Sequence, residues 1–390
     1  MSTLKHASHT LLKSINQQKV LHLIYSECPI SRVELAGKTG LSQQTVTNIV
    51  NRLLEDQVIV EGAPQSLESG SGRKRVPLLL NGSRFSAIGI ELSGTSARGA
   101  VYNFQHVRLA EAEVKADRYE TEEDLLRVIR SVIDKLMGQI PDPTFLKGIG
   151  FSVHGLVDSS EGILLRSPGL GWKRIPLAKL LEEEYGLPVF LENDTNLLAL
   201  NENMGGSLIS SKNNVTLKLA RGIGGAIVVE KLLVTGSSFV AGEVGHYKAF
   251  MPPYDYECYC GGRGCLTTLA SSRGLLRTLG RSWEQFNEAV RAVDPETVKL
   301  SEVVRTAIVY AVANIVTLLN PDSILLTGFM LPVWGESFVD ELKARVMAQV
   351  PETCRNVEFL HLTDVEDETA LAVGLVVQSV FKIPLDSLSL

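Results

Sequence analysis

His246, Cys258, Cys260 and Cys265 lie within twenty residues of one another, in a run GEVGH followed after a polar loop by CYCGGRGC. Three thiols and an imidazole are the donor types, and the number, that fill a tetrahedral zinc shell. Gly261, Gly262 and Gly264 let a short backbone fold back so that three sulfurs reach one ion. Four protein ligands leave no open position, so the expected zinc is structural, a clip for a loop. The competing readings are small buried cysteines or a disulfide. The chain has five cysteines in 390 residues and opens on the polar MSTLKHASHT. It reads as having no apolar run near the roughly 18 residues of a membrane span. A reduced, soluble, cytoplasmic protein with no membrane role is expected, and there clustered cysteines favour metal over disulfide.

A second chemical constellation is ENDTN, where an apolar strand at 189–191 leads into Asn193 and Asp194 before another apolar helix. Asp194 can take a proton from a substrate hydroxyl as general base, or hold that hydroxyl by a charge-assisted hydrogen bond. An Asp/Asn helix cap accounts for the same residues.

A third lies near the amino terminus. Ser42 caps a helix in which Val46, Ile49, Val50, Leu53 and Leu54 recur at one-face spacing. Gln43, Gln44, Thr47, Asn48, Asn51 and Arg52 point away from that face, and Ser42 and Thr45 sit at its start. Amides, hydroxyls and a guanidinium on one helix suit base edges and phosphates in a major groove. Ahead of it, residues 8–27 predict a helix stopped by Pro29. Ser31 and Glu34 form a capping box for a short helix carrying Val33, Leu35 and Ala36 and ending at Gly40. Strands at 58–60 and 76–80, joined by a Gly/Ser-rich loop ending in Arg73, Lys74 and Arg75, complete a winged helix-turn-helix. Those three cations can grip phosphates or enter a minor groove, or serve only as a solvated linker.

The elements that carry these groups fall into two styles. Residues 1–81 carry nine Lys/Arg against six Asp/Glu, a balance of +3 within a net charge of −6. The basic end is where a polyanion would bind. Beyond residue 82 the pattern is α/β. A strand at 87–92, a tight turn SGT at 93–95 and a strand at 98–104 recur as 215–220, RGIGG at 221–225 and 226–234. A duplicated, two-lobed fold follows, with a helix near 122–138, a strand at 148–153, and a long helix ending at Asn320-Pro321. Strands at 324–327 and 357–362 and a closing helix from Glu368 complete it. Ligands in such folds sit at the carboxyl ends of strands, so a cleft between the lobes is the expected site.

These residues resemble the ROK family (repressors, open reading frames and sugar kinases) along essentially the whole chain. The resemblance is carried by LARGIGGAI at 219–227, by Gly236, Gly242, Gly245 and His246, and by GH followed by CxCGxxGC. It implies a winged helix-turn-helix at 1–81 and an actin-like or hexokinase-like domain at 82–390. One lobe would span about 82–195 plus the closing helix at 368–390, the other about 196–367. It implies a sugar in the cleft, with Asn193, Asp194, Glu243 and His246 at sugar-contacting positions and Asp194 at the place of the kinase base.

The departures bear on activity. Family kinases begin with Asp-x-Gly-Gly-Thr, where this chain has Glu91, Ser93, Gly94 and Thr95. Their second phosphate loop offers a threonine where Arg221 stands, and their Gly-Gly appears as Thr327-Gly328. The expectation is a non-enzyme: phosphoryl transfer is lost and carbohydrate sensing kept, as in xylose-type and N-acetylglucosamine-type repressors. Its partners would be operator DNA, a sugar effector and further copies of itself in a homodimer or homotetramer. The alternatives are an active sugar kinase with a DNA-binding head, and a regulator controlled by a sugar-transport protein. On the sugar side, Thr267 stands where Glu is frequent, Gly169 where Asn is frequent, and His154 is a further departure.

Overall fold

Ser31 does two jobs at the start of the first fully described helix. Its side chain caps Arg32–Thr39 by accepting from the Glu34 N–H, while the Glu34 carboxylate accepts from Ser31 N at 2.9 Å. The computed structural model describes residues 16–17, 19–21, 23–25, 27, 29–63, 76–82, 85–167, 171–331, 337–363 and 367–381. Described residues between 16 and 25 are helical. Most of the predicted 8–27 helix, together with Arg73, Lys74, Arg75 and Gly169, lies outside the described residues. Gly40 ends the capped helix at φ +68°, a left-handed position that suits glycine. Helix Gln43–Glu55 follows, capped by Ser42.

Strands β1 (Ile30–Ser31), β2 (Ile59–Glu61) and β3 (Pro77–Leu80) form a small antiparallel sheet in the order β1-β3-β2. The sheet closes against Leu35, Val46, Ile49, Val50 and Leu53, all buried. Val33, carried by the same short helix as Leu35 and Ala36, is 56% exposed.

Strands β4 (Ser86–Leu92), β5 (Ser96–Asn103), β6 (Arg108–Lys115) and β7 (Leu146–Val153) come next. Three short strands follow, β8 (Leu156–Asp158), β9 (Ile163–Ser167) and β10 (Gly171–Ile175), in a sheet of their own that the sequence did not announce. With β11 (Val189–Asn193) the main sheet has the order β11-β7-β4-β5-β6. Helix Glu122–Met137 buries Leu125, Leu126, Ile129, Val132, Ile133 and Leu136, the residues expected to face inward. The closing helix Glu368–Phe381 crosses the same sheet at its glycines. A Cβ at Gly89 would lie 1.8 Å from the Thr369 carbonyl oxygen, and one at Gly150 1.9 Å from that of Ala372. Val373, Val376 and Val377 of this helix share one apolar cluster with the amino-terminal residues Leu35, Val50, Leu53 and Leu78.

The chain forms two compact units, Met1–Asp194 with Asp367–Leu390, and Thr195–Glu366. The second is built on β12 (Asn214–Leu219), β13 (Ile223–Val229), β14 (Leu232–Leu233), β15 (Ser323–Thr327) and β16 (Glu358–Leu362). Their order is β14-β13-β12-β15-β16. RGIGG is only in part the turn expected of it, because Ile223, Gly224 and Gly225 already belong to β13. The glycines serve close approach: a Cβ at Gly224 would lie 2.2 Å from Thr195 Oγ1, and one at Gly225 2.4 Å from the Gly242 carbonyl oxygen. A second correction concerns apolar length. Helix Pro295–Leu319 is 25 residues and apolar enough to cross a membrane by length and composition. Val304, Ile308, Val312 and Val316 of this helix lie in the unit's core, which accounts for that composition.

Candidate functional site

Gly242 and Gly264 open and close the segment that carries His246 and the clustered cysteines, both at positive φ, +87° and +67°. The intervening chain folds so that Cys258 N–H donates to the Gly262 carbonyl at 2.8 Å and Leu266 N–H to that of Tyr247 at 2.8 Å. One ligand atom from each of His246, Cys258, Cys260 and Cys265 then lies within 4.8 Å of all the others. Cys260 Sγ is 3.7 Å from Cys265 Sγ, and Cys258 Sγ is 3.6 Å from His246 Nδ1. Tetrahedral zinc with bonds of about 2.3 Å to sulfur and about 2.05 Å to nitrogen puts two sulfurs about 3.8 Å apart, and sulfur and nitrogen about 3.6 Å apart. Donor set and spacing fit a closed tetrahedral cation. The four described cysteines are free thiols. Burial first, reinforced by the neighbouring Cys260 and Cys265 side chains, pushes the Cys258 thiol up to about 12, so a nearby dication is what would stabilise three thiolates here.

The other His246 nitrogen, Nε2, lies 3.7 Å from Glu243 Oε2. Tyr259 meets the imidazole edge-on at a ring distance of 5.0 Å, and the Arg273 guanidinium lies 5.9 Å from the Tyr259 ring centre. Sequence reading missed both partners, although Tyr259 lies inside the CYC run. Thr267 is buried and its hydroxyl donates to Ser271 Oγ at 3.1 Å.

In the first unit, Asn193 ends β11 and Asp194 begins helix Asp194–Gly205. Asn193 Nδ2 donates to the Gly155 carbonyl at 2.9 Å, which fixes the amide at the strand's carboxyl end. Asn193 and Asp194 thus sit together in one unit, and Glu243 and His246 in the other.

Ionic cross-links surround the turn that follows β4. Register pairs Glu91 with Arg98 across the SGT turn. Arg98 donates from Nε and Nη2 to Glu91 at 3.0 and 2.8 Å, and from Nη1 and Nη2 to Asp367 at 2.9 and 2.8 Å. Burial alone would raise the Asp367 carboxyl, but hydrogen bonds from Arg98 and Thr369 outweigh it and hold it below its ordinary value. His154 Nε2 is 2.7 Å from Glu368 Oε2, which also accepts from Ser152 Oγ at 2.9 Å. Ser93 Oγ accepts from Thr95 N and Ser96 N, closing the turn on itself. Gly328, at φ +111°, lets the backbone pass where a Cβ would lie 2.1 Å from the Leu219 carbonyl oxygen. The signal for the Glu91–Arg98 pair was present in the sequence, since opposite charges flank a three-residue turn.

The helix Gln43–Glu55 presents the expected surface. Ser42, Gln43, Gln44, Asn48 and Asn51 are exposed, and Thr45, Thr47 and Arg52 are half-buried. Gln44 Nε2 donates to Asn48 Oδ1 at 3.2 Å, while the Thr47 hydroxyl donates to the Gln43 carbonyl at 2.8 Å. Gln44 and Asn48 therefore present paired amides on the exposed face, the kind of group that reads a base edge, and Thr47 presents mainly its methyl and its lone pairs.

Comparison with known proteins agrees with this geometry. Residues 87–374 match the ROK family, and residues 13–60 match a winged helix-turn-helix DNA-binding family. The chain is 31% identical over 356 residues to a xylose repressor of Caldicellulosiruptor bescii, covering 86% of this chain and 88% of that one. It is 27% identical to a glucokinase of Halalkalibacterium halodurans, covering 75% of this chain and 94% of the kinase. In fold it resembles the crystal structure of a ROK family transcriptional regulator, a homologue of the Escherichia coli MLC protein. That likeness has a TM-score of 0.76 and 24% identity, over 95% of this chain and 97% of the other. With an amino-terminal winged helix-turn-helix followed by the residues of the diagnostic glycine and cysteine runs, the chain belongs to the ROK family.

Proposed function

We propose that this protein is a DNA-binding transcriptional regulator, a repressor of carbohydrate uptake or catabolism genes, whose hold on operator DNA is set by a sugar. The observation that carries the reading is one chain bearing both a capped, polar-faced recognition helix and a ROK domain. The xylose repressor matches head and domain together, whereas the glucokinase match covers a smaller share of this chain. The head is residues 1–81 and the sensing domain 82–390. Asn193, Asp194, Glu243 and His246 take the sugar hydroxyls; carboxylates, an amide and an imidazole supply both donors and acceptors for that task. The DNA-reading groups are Ser42, Gln43, Gln44, Thr45, Thr47, Asn48, Asn51 and Arg52, with Arg73, Lys74 and Arg75 on the wing.

Zinc at His246, Cys258, Cys260 and Cys265 is structural, holding the loop that carries Glu243. The protein works in the cytoplasm as a homodimer or homotetramer, so that two heads read a two-fold operator. Phosphoryl transfer is lost. Support comes from the Arg98 cross-link, which engages the Glu91 carboxylate that replaces the kinase aspartate. Allostery then requires only that the sugar bind one DNA-binding state better than another.

The competing reading is an active sugar kinase with a DNA-binding head, favoured by the glucokinase relative. A thermal-shift panel of pentoses, hexoses and N-acetylated sugars, run beside an ATP-coupled phosphorylation assay, separates the two. One sugar should raise the melting temperature without turnover, because a ligand of the native state stabilises by mass action. Turnover abolished by Asp194→Asn would establish the kinase. Stabilisation by no sugar would favour control by a sugar-transport protein.

A further inference from the structure

Three thiolates around one dication leave the metal centre with a net charge of −1, since the imidazole ligand is neutral. Cys265, one of the three, is wholly buried. A buried excess charge is costly unless a counter-charge or hydrogen-bond donor meets it. Lys248 supplies both: its Nζ donates to Cys265 Sγ at 2.9 Å.

That contact is built by the backbone. Lys248 and Cys265 face each other in an antiparallel bridge, which puts both side chains on the same side of the ribbon. The ribbon is secured on either side by the Leu266 N–H to Tyr247 carbonyl bond at 2.8 Å and the Ala249 N–H to Gly264 carbonyl bond at 2.9 Å. Gly262 leaves the space: a Cβ there would lie 2.4 Å from Lys248 Nζ and 3.5 Å from Cys260 Sγ. The ammonium therefore lies over the glycine turn that joins two of the metal's cysteines. Nothing acidic is paired with Lys248 among the described ion pairs, so its charge is directed at the sulfur.

We infer that Lys248 is a positioning residue of the metal centre, neutralising its excess charge and orienting the Cys265 thiolate by a charge-assisted hydrogen bond. The inference rests on zinc occupying the four-ligand site. Groups that hydrogen-bond to a metal's ligands typically change metal affinity by about 10–100-fold when removed. Lys248 acts on the sulfur alone, and because its stem is exposed, truncating its charge leaves the fold's core untouched.

The test uses the full chain. Zinc content is first measured on the parent protein, and zinc release is then followed with a chromophoric chelator for the parent, Lys248→Met and Lys248→Arg. Lys248→Met should lose zinc about 10-fold or more faster, and Lys248→Arg should recover most of the parent's retention. Cobalt substitution supplies a second readout. The thiolate-to-cobalt absorption should shift to lower energy in Lys248→Met, because a thiolate without its hydrogen-bond donor gives up charge more readily. A general loosening of the loop would not restore retention in the arginine variant. Release rates and cobalt spectra unchanged in Lys248→Met would overturn the role of Lys248 while leaving the zinc centre intact. A parent protein without one zinc per chain would overturn the zinc reading itself.

Discussion

Asn48 and Gln44 are amides one helical turn apart, hydrogen-bonded to each other on the exposed face of the recognition helix. An amide held in that way is oriented before it meets DNA, so Asn48→Ala should cost about 1–3 kcal/mol of operator affinity. The loss should concentrate at one base position, which binding to singly substituted operators would display. A uniform loss across all duplexes would mean a phosphate contact instead. Cys260→Ser should lower zinc content and loosen the segment around Glu243, read by metal analysis and by proteolysis of the loop. Full occupancy in that variant would contradict the four-ligand shell. Asp367 carries a prediction in acid. Its folded carboxyl titrates below its ordinary 3.8, so its stabilisation is complete above that value and is lost as pH falls through the lower folded value. Asp367→Asn should therefore melt at a lower temperature than the parent at neutral pH, with the gap closing in acid below 3.8. A gap that stayed constant would deny the Arg98 clamp its role.

At the scale of elements, the closing helix rests directly on backbone. Gly89 and Gly150 are the positions where the sheet has no side chain to keep it away. Gly150→Ala must displace the Ala372 carbonyl, and overpacking of that kind costs about 1–3 kcal/mol, visible as a lower urea midpoint. An unchanged midpoint would mean that the helix docks less tightly than these distances require. Local elements were legible in the sequence wherever a local cause sets them. The Ser31–Glu34 capping box, the Ser42 cap, the amphipathic helix Glu122–Met137 and the cysteine spacing all operate within a few residues. What escaped has non-local causes. Arg98 and Asp367 are 269 positions apart, and no periodicity links them. The sheet β8–β10 is made of strands of three to five residues, too short for alternation to register. The glycines of RGIGG read as a turn because their true reason, the approach of Thr195 and Gly242 to β13, lies outside the segment.

Across the whole molecule, charge and function divide along the chain. The first 81 residues are net positive within a net-negative protein, and that asymmetry places the polyanion at the head. Under the proposed function, the charged groups and the Cys3His cluster of the larger domain serve structure and sensing instead. The cysteine segment, which by spacing alone resembles a small DNA-binding finger, carries Glu243 beside His246, and under the proposed function it belongs to the sensor. In the proposed function, one chain joins sequence-specific DNA binding to a sugar. Fluorescence anisotropy on the duplex upstream of its own gene, against a shuffled duplex at about 150 mM salt, tests it directly. Binding to the upstream duplex should be at least about 1,000-fold tighter, and that affinity should change on adding the sugar that stabilises the protein. Equal affinity for the two duplexes, or a preference that no stabilising sugar alters, would contradict it.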